Sequence, residues 1–575
     1  MQFSGFTIRF SRRLRTALLV AAAVAGASAP GMAAPLVRIG YVIPSDRRPQ
    51  PLATERLQEL MLAVQDWYGS QVQRWGLGYK TFDLEMMPDG VTPKVHVVNT
   101  SKTAATIRGD VWSQTISAAQ GAGLPIWSSQ QVWLLVPESH MQSASGAIAG
   151  KTSLGGSNGS GMDGGVAIME SDFLFRASPS ILTDTRNYGG LTYPEVGPYP
   201  FVQGVSFHDF EGSTISSIAS SVQGATAHEL GHAFGLGHDF RNDQNFDGNH
   251  MGNGLRGWRG AQLPELFTAD DMYLAEGAAL ALNTSRYFNF AAPVTDQTRP
   301  TVTLGDASTI NIVDGQLRIP FTATDAGQLS AALLRRNGEV IGELPLNGIL
   351  AREAFTTPWY EPGQNDEFTI SVYDAQGNRR DSSIDITPAT GSNRAPQPAI
   401  DLGRSTIIVG QAVLLDASRS IDPDGNSGQM TVQWDFDGDG VFDLSPITTK
   451  VMQRRMLTPG DFRITAQLTD AAGAKSISAP LMLRVVDRTD FDNDGDVDGD
   501  DLLVWGDSLG TTGSALHMNG DADGDRDVDG RDFLLWQREI GGTALAAAAS
   551  SVPEPAAALM FGVACCFALH QHRRV

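Results

Sequence analysis

The chain has 575 residues, 42% of them hydrophobic, and sets 64 acidic against 42 basic side chains for a formal charge of −22 at pH 7. That length exceeds what one hydrophobic core organises, so three or four domains are expected. A negative surplus of this size repels phosphate backbones, which excludes nucleic acid as the expected partner and points to cations.

The first 34 residues read as an export signal. Arg12, Arg13 and Arg15 precede an apolar run over residues 17–25, followed by the small residues of "GASAPGMAA". Cleavage is expected between Ala29 and Ala34. "SRR" resembles the start of a twin-arginine signal, but the hydrophobic pair expected after it is missing.

Residues 35–295 read as one α/β domain. "PLVRIGYVI" is a first strand, and Leu57, Leu60, Met61, Val64, Trp67 and Tyr68 form a helical stripe. "HVVNT" and "QVWLLVPES" read as strands, with a helix between them over residues 103–119. The Gly/Ser-rich "GGSNGSGMDGG" reads as a loop and "VAIMES", residues 166–171, as a further strand. "AGKTS" lacks the first glycine and the spacing of a phosphate loop.

Residues 227–240, "AHELGHAFGLGHDF", carry the chemistry. His228 and His232 are four apart and share a helix face, with Glu229 beside them. On a continued helix His238 would lie roughly 15 Å beyond His228, far outside a Zn–N bond of about 2.0–2.1 Å. The chain must turn back, and Gly235 stands where a left-handed, helix-ending residue is needed. Gly237 loosens the return. Three neutral imidazoles leave a fourth tetrahedral position open, as a catalytic zinc requires, and Glu229 is placed to act as general base. A histidine-rich amphipathic helix is the bland reading. Five specified positions in register, a chance match of about one in 10⁴ at ordinary residue usage, argue against it.

The pattern HExxHxxGxxH resembles the signature of the metzincin metallopeptidases. The resemblance covers residues 228–251 firmly and implies a zinc endopeptidase acting on protein or peptide substrates. It makes Met251, thirteen residues after His238 within "DGNHMGNG", the Met-turn, with Gly248 and Gly252 around it. Asp239 matches a position whose family role is structural, tying the helix end to that turn. By analogy, residues 166–171 would be the edge strand that pairs with bound peptide. His208 and His250 read as ordinary loop histidines rather than ligands.

Beyond residue 299 the character changes. Alternating runs such as "LRIPFTAT" and "EFTISVYD", broken by Gly, Asp and Asn, predict a β-sandwich over residues 299–388. After the linker "GSNRAPQPAI", residues 396–486 form a second β unit. Its "LDASRSIDPDG" and "VQWDFDGDG" resemble the PKD-type immunoglobulin-like domain. The extra acids Asp435, Asp437, Asp439 and Asp443 make either a calcium site or a solvated turn.

Residues 487–541 hold an acidic repeat. Between Asp487 and Asp532 fifteen Asp face three Arg, a net of −12. "DFDNDGDVDGDDLLVW" and "DADGDRDVDGRDFLLW" align at an offset of 31 residues. Oxygens fall at positions 1, 3, 5, 9 and 12 of an EF-hand-type calcium loop. These are Asp490, Asp492, Asp494, Asp498 and Asp501, then Asp521, Asp523, Asp525, Asp529 and Asp532. Gly495 supplies the turn at position 6, where the second loop has Arg526. Asp at position 12, the apolar followers and the duplication resemble a dockerin type I repeat, which implies Ca²⁺ and a cohesin-like partner.

In residues 542–575 a Pro-Glu-Pro motif at Pro553–Pro555 precedes a 14-residue apolar run and basic residues. That run is short for a bilayer span of about 20 residues. It resembles a PEP-CTERM sorting signal processed by an exosortase-type enzyme, with a simple membrane anchor as the alternative. Cys565 and Cys566, the two cysteines, both lie here, so no disulfide staples the body and bound metal would take over part of that role.

The expected architecture is therefore multidomain. An α/β metzincin-like zinc peptidase domain precedes two immunoglobulin-like β-sandwiches and a small EF-hand-like helical calcium module. The expected function is an exported, zinc-dependent endopeptidase at the cell envelope, surface or outside. The rival is a calcium-dependent surface adhesion or scaffold protein whose repeat and β modules bind a cohesin-like partner or polysaccharide.

Overall fold

The computed structural model describes residues 35–128, 130–142, 148–149, 153–157, 164–169, 178–186, 214–244, 246–289, 297–306, 308–391, 393–425 and 427–540. The segments expected to be an export signal (residues 1–34) and a sorting tail (residues 542–575), together with His208, lie outside the described residues. No helix among the described residues is long and apolar enough to cross a membrane.

The chain divides into two compact units, residues 1–485 and 486–575. The first opens with β1 (Leu36–Ile43), whose hydrophobic register leaves Val37, Ile39, Tyr41 and Val42 buried. Helix α1 (Ala53–Val72) follows, and all six residues of its apolar stripe are buried. Strand β2 (Val95–Asn99) leads to α2 (Ala104–Gly109) and α3 (Val111–Gly121). The single helix expected over residues 103–119 is thus two. Asp110 leaves the helical conformation at φ −157° and its carboxylate accepts the Ser113 amide at 3.1 Å, so it starts a second helix.

Strand β3 (Gln131–Pro137), β4 (Ser153–Ser157) and β5 (Gly165–Met169) complete the sheet in the order β2–β1–β3–β5–β4. All pairs are parallel except β5 with β4. Here the edge assignment is corrected. Residues 165–169 are buried on both sides, as a continuous apolar run in a parallel sheet should be, and the edge is the glycine-containing β4. The "loop" beginning at Gly155 is therefore strand for its first three residues.

Helix α4 (Ile215–Ala233) lies across this sheet, and β6 (Asp247–Asn249) pairs parallel with β7 (Asp271–Tyr273) beyond it. Helix α5 (Glu276–Thr284) ends the α/β region. Two β-sandwiches follow within the same unit. In the first, β8 (Thr301–Leu304), β9 (Asn311–Val313) and β13 (Leu350–Thr357) pair with β10 (Gln316–Thr324). The facing sheet runs β12 (Glu339–Pro345), β11 (Leu329–Arg336), β14 (Asp366–Asp374), β15 (Arg379–Ile386). Alternating burial along β10 produces the core of Leu317, Ile319, Phe321 and Ala323. The second sandwich surrounds Trp434, Val432, Leu468 and Leu483.

The second unit is small. Each acidic loop leads into one helix, α6 (Gly499–Ser508) or α7 (Gly530–Glu539), over a core of Phe491, Val497, Ala522 and Trp536. Among the described residues no α-helix leads into either loop.

Candidate metal centre

Helix α4 delivers the first two imidazoles and then stops in a full C-terminal lock. Gly235 sits at φ 91°, its amide bonds the His232 carbonyl, and the Leu236 amide bonds the Gly231 carbonyl, both at 2.9 Å. The expected return follows, and His238 comes back to the helix. Ligating atoms of His228, His232 and His238 all lie within 4.8 Å of one another.

Their orientation is set by main-chain oxygens. His228 Nδ1 donates to the His250 carbonyl at 2.6 Å and His232 Nδ1 to the Leu236 carbonyl at 3.0 Å. A carbonyl only accepts, so both Nδ1 atoms carry the proton and both Nε2 lone pairs are left for a metal. His232 Nε2 and His238 Nε2 stand 3.1 Å apart. Two nitrogens sharing a tetrahedral zinc are separated by roughly 3.3 Å, so the spacing fits. Burial, with His232 second, lowers the His228 pKa to about 3, and burial also lowers those of His232 and His238. All three are therefore neutral at pH 7, the ligating form. Phe240, exposed, stacks on His238 at a ring separation of 5.4 Å.

Glu229 is buried and lies against β4. A Cβ on Gly155 would overlap the Glu229 carbonyl oxygen and come within 2.9 Å of Glu229 Oε2 and 2.8 Å of His232 Cβ. Only glycine lets the edge strand approach the helix here.

Met251 is fully buried under the helix, and a Cβ on Gly231 would overlap its sulfur. The tie expected of Asp239 is divided. Its amide bonds the Met251 carbonyl at 3.1 Å and its carbonyl accepts from Asn249, so the main chain holds the turn. Its carboxylate instead takes Arg241 in a two-point pair at 3.0 and 2.8 Å. His250 is outside the converging set. Its ring is buried against Trp67 and Tyr68, and its contribution is the carbonyl that orients His228.

The close approaches at Gly231 and Gly155 and the His250 carbonyl escaped the sequence reading. Only the glycine inside HELGH was a local signal, since glycine within a helix marks a close approach.

In the acidic loops the structure gathers Asp490, Asp492 and Asp501, and likewise Asp521, Asp523 and Asp532, each group within 4.8 Å. Asp498 and Asp529 are the N-caps of α6 and α7, accepting the Asp500 and Arg531 amides at 2.7 Å. Asp494 and Asp525 lie at the turn, where their amides bond Asp490 and Asp523. Gly495 and Arg526 are both left-handed, at φ 104° and 70°. Burial, then Asp492 and Asp501, pushes the Asp490 pKa up to about 9. Such a group gains most from a cation. In the second sandwich Asp435, Asp437 and Asp443 converge in the same way, while Asp439 turns to the Val441 amide.

No family model matches the chain, and no curated protein sequence matches it. Among solved structures it is similar to catalytically inactive OgpA from Akkermansia muciniphila in complex with an O-glycopeptide, at 14% identity and a TM-score of 0.42, over 64% of this chain and 96% of that one. It is also similar to fibronectin(III)-like modules of Clostridium thermocellum CbhA, at 14% identity and a TM-score of 0.15, over 32% of this chain and 95% of that one. At these identities and TM-scores the likeness reaches neither activity nor substrate.

Proposed function

We propose that the chain is an exported zinc-dependent endopeptidase of metzincin type. His228, His232 and His238 are its zinc ligands, Glu229 its general base, and Gly235, Asp239 and Met251 its structural set. The observation that carries this reading is the convergence of three neutral imidazoles, two with Nδ1 tied to main-chain oxygens, beside one buried carboxylate. Zinc held there supplies Lewis-acid polarisation of a scissile carbonyl and a more acidic water. Glu229 takes the proton of the attacking water and passes it to the leaving amine. Strand β4 lies alongside and offers its outer edge to an extended peptide. The loops at residues 490–501 and 521–532 hold Ca²⁺, and the tail directs sorting to the envelope.

The test uses the purified mature chain. Elemental analysis should give one zinc per chain. Glu229→Gln should keep that zinc while peptide cleavage falls by about 10²–10⁴-fold. A chain without stoichiometric transition metal, or a Glu229→Gln variant as active as the parent, overturns the reading and leaves the adhesion protein.

A further inference from the structure

The return path after Gly235 does not stand alone; the first β-sandwich grips it at three points. The Val340 amide, at the start of β12, donates to the His238 carbonyl at 2.8 Å. Arg379 of β15 reaches the Gly235 carbonyl at 3.3 Å while holding Asp381. Glu343 of β12 takes Arg241 at 2.5 Å, and Arg241 also holds Asp239, the residue after His238. Side chains of Asp239, Arg241 and Glu343 are each 8% exposed or less. The approach is close enough to dictate composition. Gly237 has no left-handed backbone, yet a Cβ there would sit 3.0 Å from the Gly338 carbonyl of the β11–β12 turn.

Two of three ligands come from a rigid helix, but the third comes from a short irregular segment. A buried ion pair in low dielectric, with both acids sharing one guanidinium, holds such a segment far better than a solvated loop could. We propose that the first β-sandwich is a working half of the metal centre, and that Glu343, acting through Arg241 and Asp239, is a positioning residue for His238. This rests on the zinc reading above. It makes the sandwich a fixed wall of the peptidase instead of a spacer or binding module.

The full-length mature chain tests it, with zinc as the probe and a competing chelator. Glu343→Gln should weaken zinc binding about tenfold, the usual scale for outer partners of a ligand. It should also change the visible spectrum of the cobalt(II)-substituted chain. Asp461→Asn, which breaks an ion pair with Arg484 in the second sandwich, should lower thermal stability comparably and leave zinc binding unchanged. Arg379→Lys, the second probe should Glu343→Gln fail to fold, should weaken zinc a few-fold. Parental zinc affinity and cobalt spectrum in Glu343→Gln or, failing that, Arg379→Lys overturn the proposal, as does equal loss in Asp461→Asn. A parent chain that holds no zinc removes the peptidase reading itself, a different result.

Discussion

Met251 and Gly231 show how narrowly single residues are specified under the three histidines. Adding one methyl at Gly231 drives it into the Met251 sulfur, and His250 Nε2 stands 3.2 Å from the same point. Neither neighbour can retreat, since Met251 and His250 are both fully buried. Gly231→Ala should therefore cost about 1–3 kcal/mol in urea unfolding, the range for overpacking a tight core. Because the displaced turn carries the His250 carbonyl that orients His228, zinc affinity should fall with it. Unchanged unfolding and zinc binding would show that the turn yields freely.

At the scale of an element, the two calcium-type loops differ at one informative position. Gly495 adopts φ 104° without cost, whereas Arg526 holds φ 70° with a Cβ. In both loops the amide at this position bonds the first aspartate, at 3.0 and 2.9 Å, so neither can relax the turn without losing that bond. Arg526→Gly should stabilise the loop by up to about 1 kcal/mol and raise its calcium affinity, read by calcium titration of the full chain. Calcium itself should matter more. Each loop draws three carboxylates together, a repulsion that a bound cation relieves, so chelation should lower the melting temperature of residues 486–575 selectively. A calcium-independent transition for this unit would contradict the site.

Across the larger unit, the α/β region and the second sandwich meet at a polar seam. Asn242, left-handed at φ 59°, bonds both Ala479 and Ile400, and Asp271 accepts the Ser405 amide at 2.6 Å. Asp247 is half-buried here beside Asp401 and Asp271, with Arg419 as the opposing charge. Burial first, then the two carboxylates, raises its pKa well above the usual range. The native state therefore holds a proton that the unfolded chain releases near pH 4. That contribution is full at acid pH and is lost as pH rises toward the native pKa. Asp247→Asn removes the dependence, so its stability relative to the parent should improve progressively as pH rises from about 5 toward 9, read by urea unfolding at each pH. A constant difference across that range would assign the proton elsewhere.

What was legible in the residues alone was local. Histidine spacing, the glycine that ends α4, the stripe of α1 and the 31-residue acidic repeat all depend on neighbours a few positions away, where helix and turn geometry act directly. Which strand became the sheet edge was not local. Residues 166–171 were expected at the edge, and β4, pairing on the outer side of residues 165–169, made that strand interior. Nor was the grip on the third histidine, since Arg241 and Glu343 are 102 positions apart in sequence and meet because two cores pack face to face. Asn337–Gly338 closes the β11–β12 hairpin with both residues left-handed, but nothing within it says that the hairpin rests against the segment carrying His238. Short-range geometry brought the three histidines within reach of one point; long-range packing decided what holds the third one still.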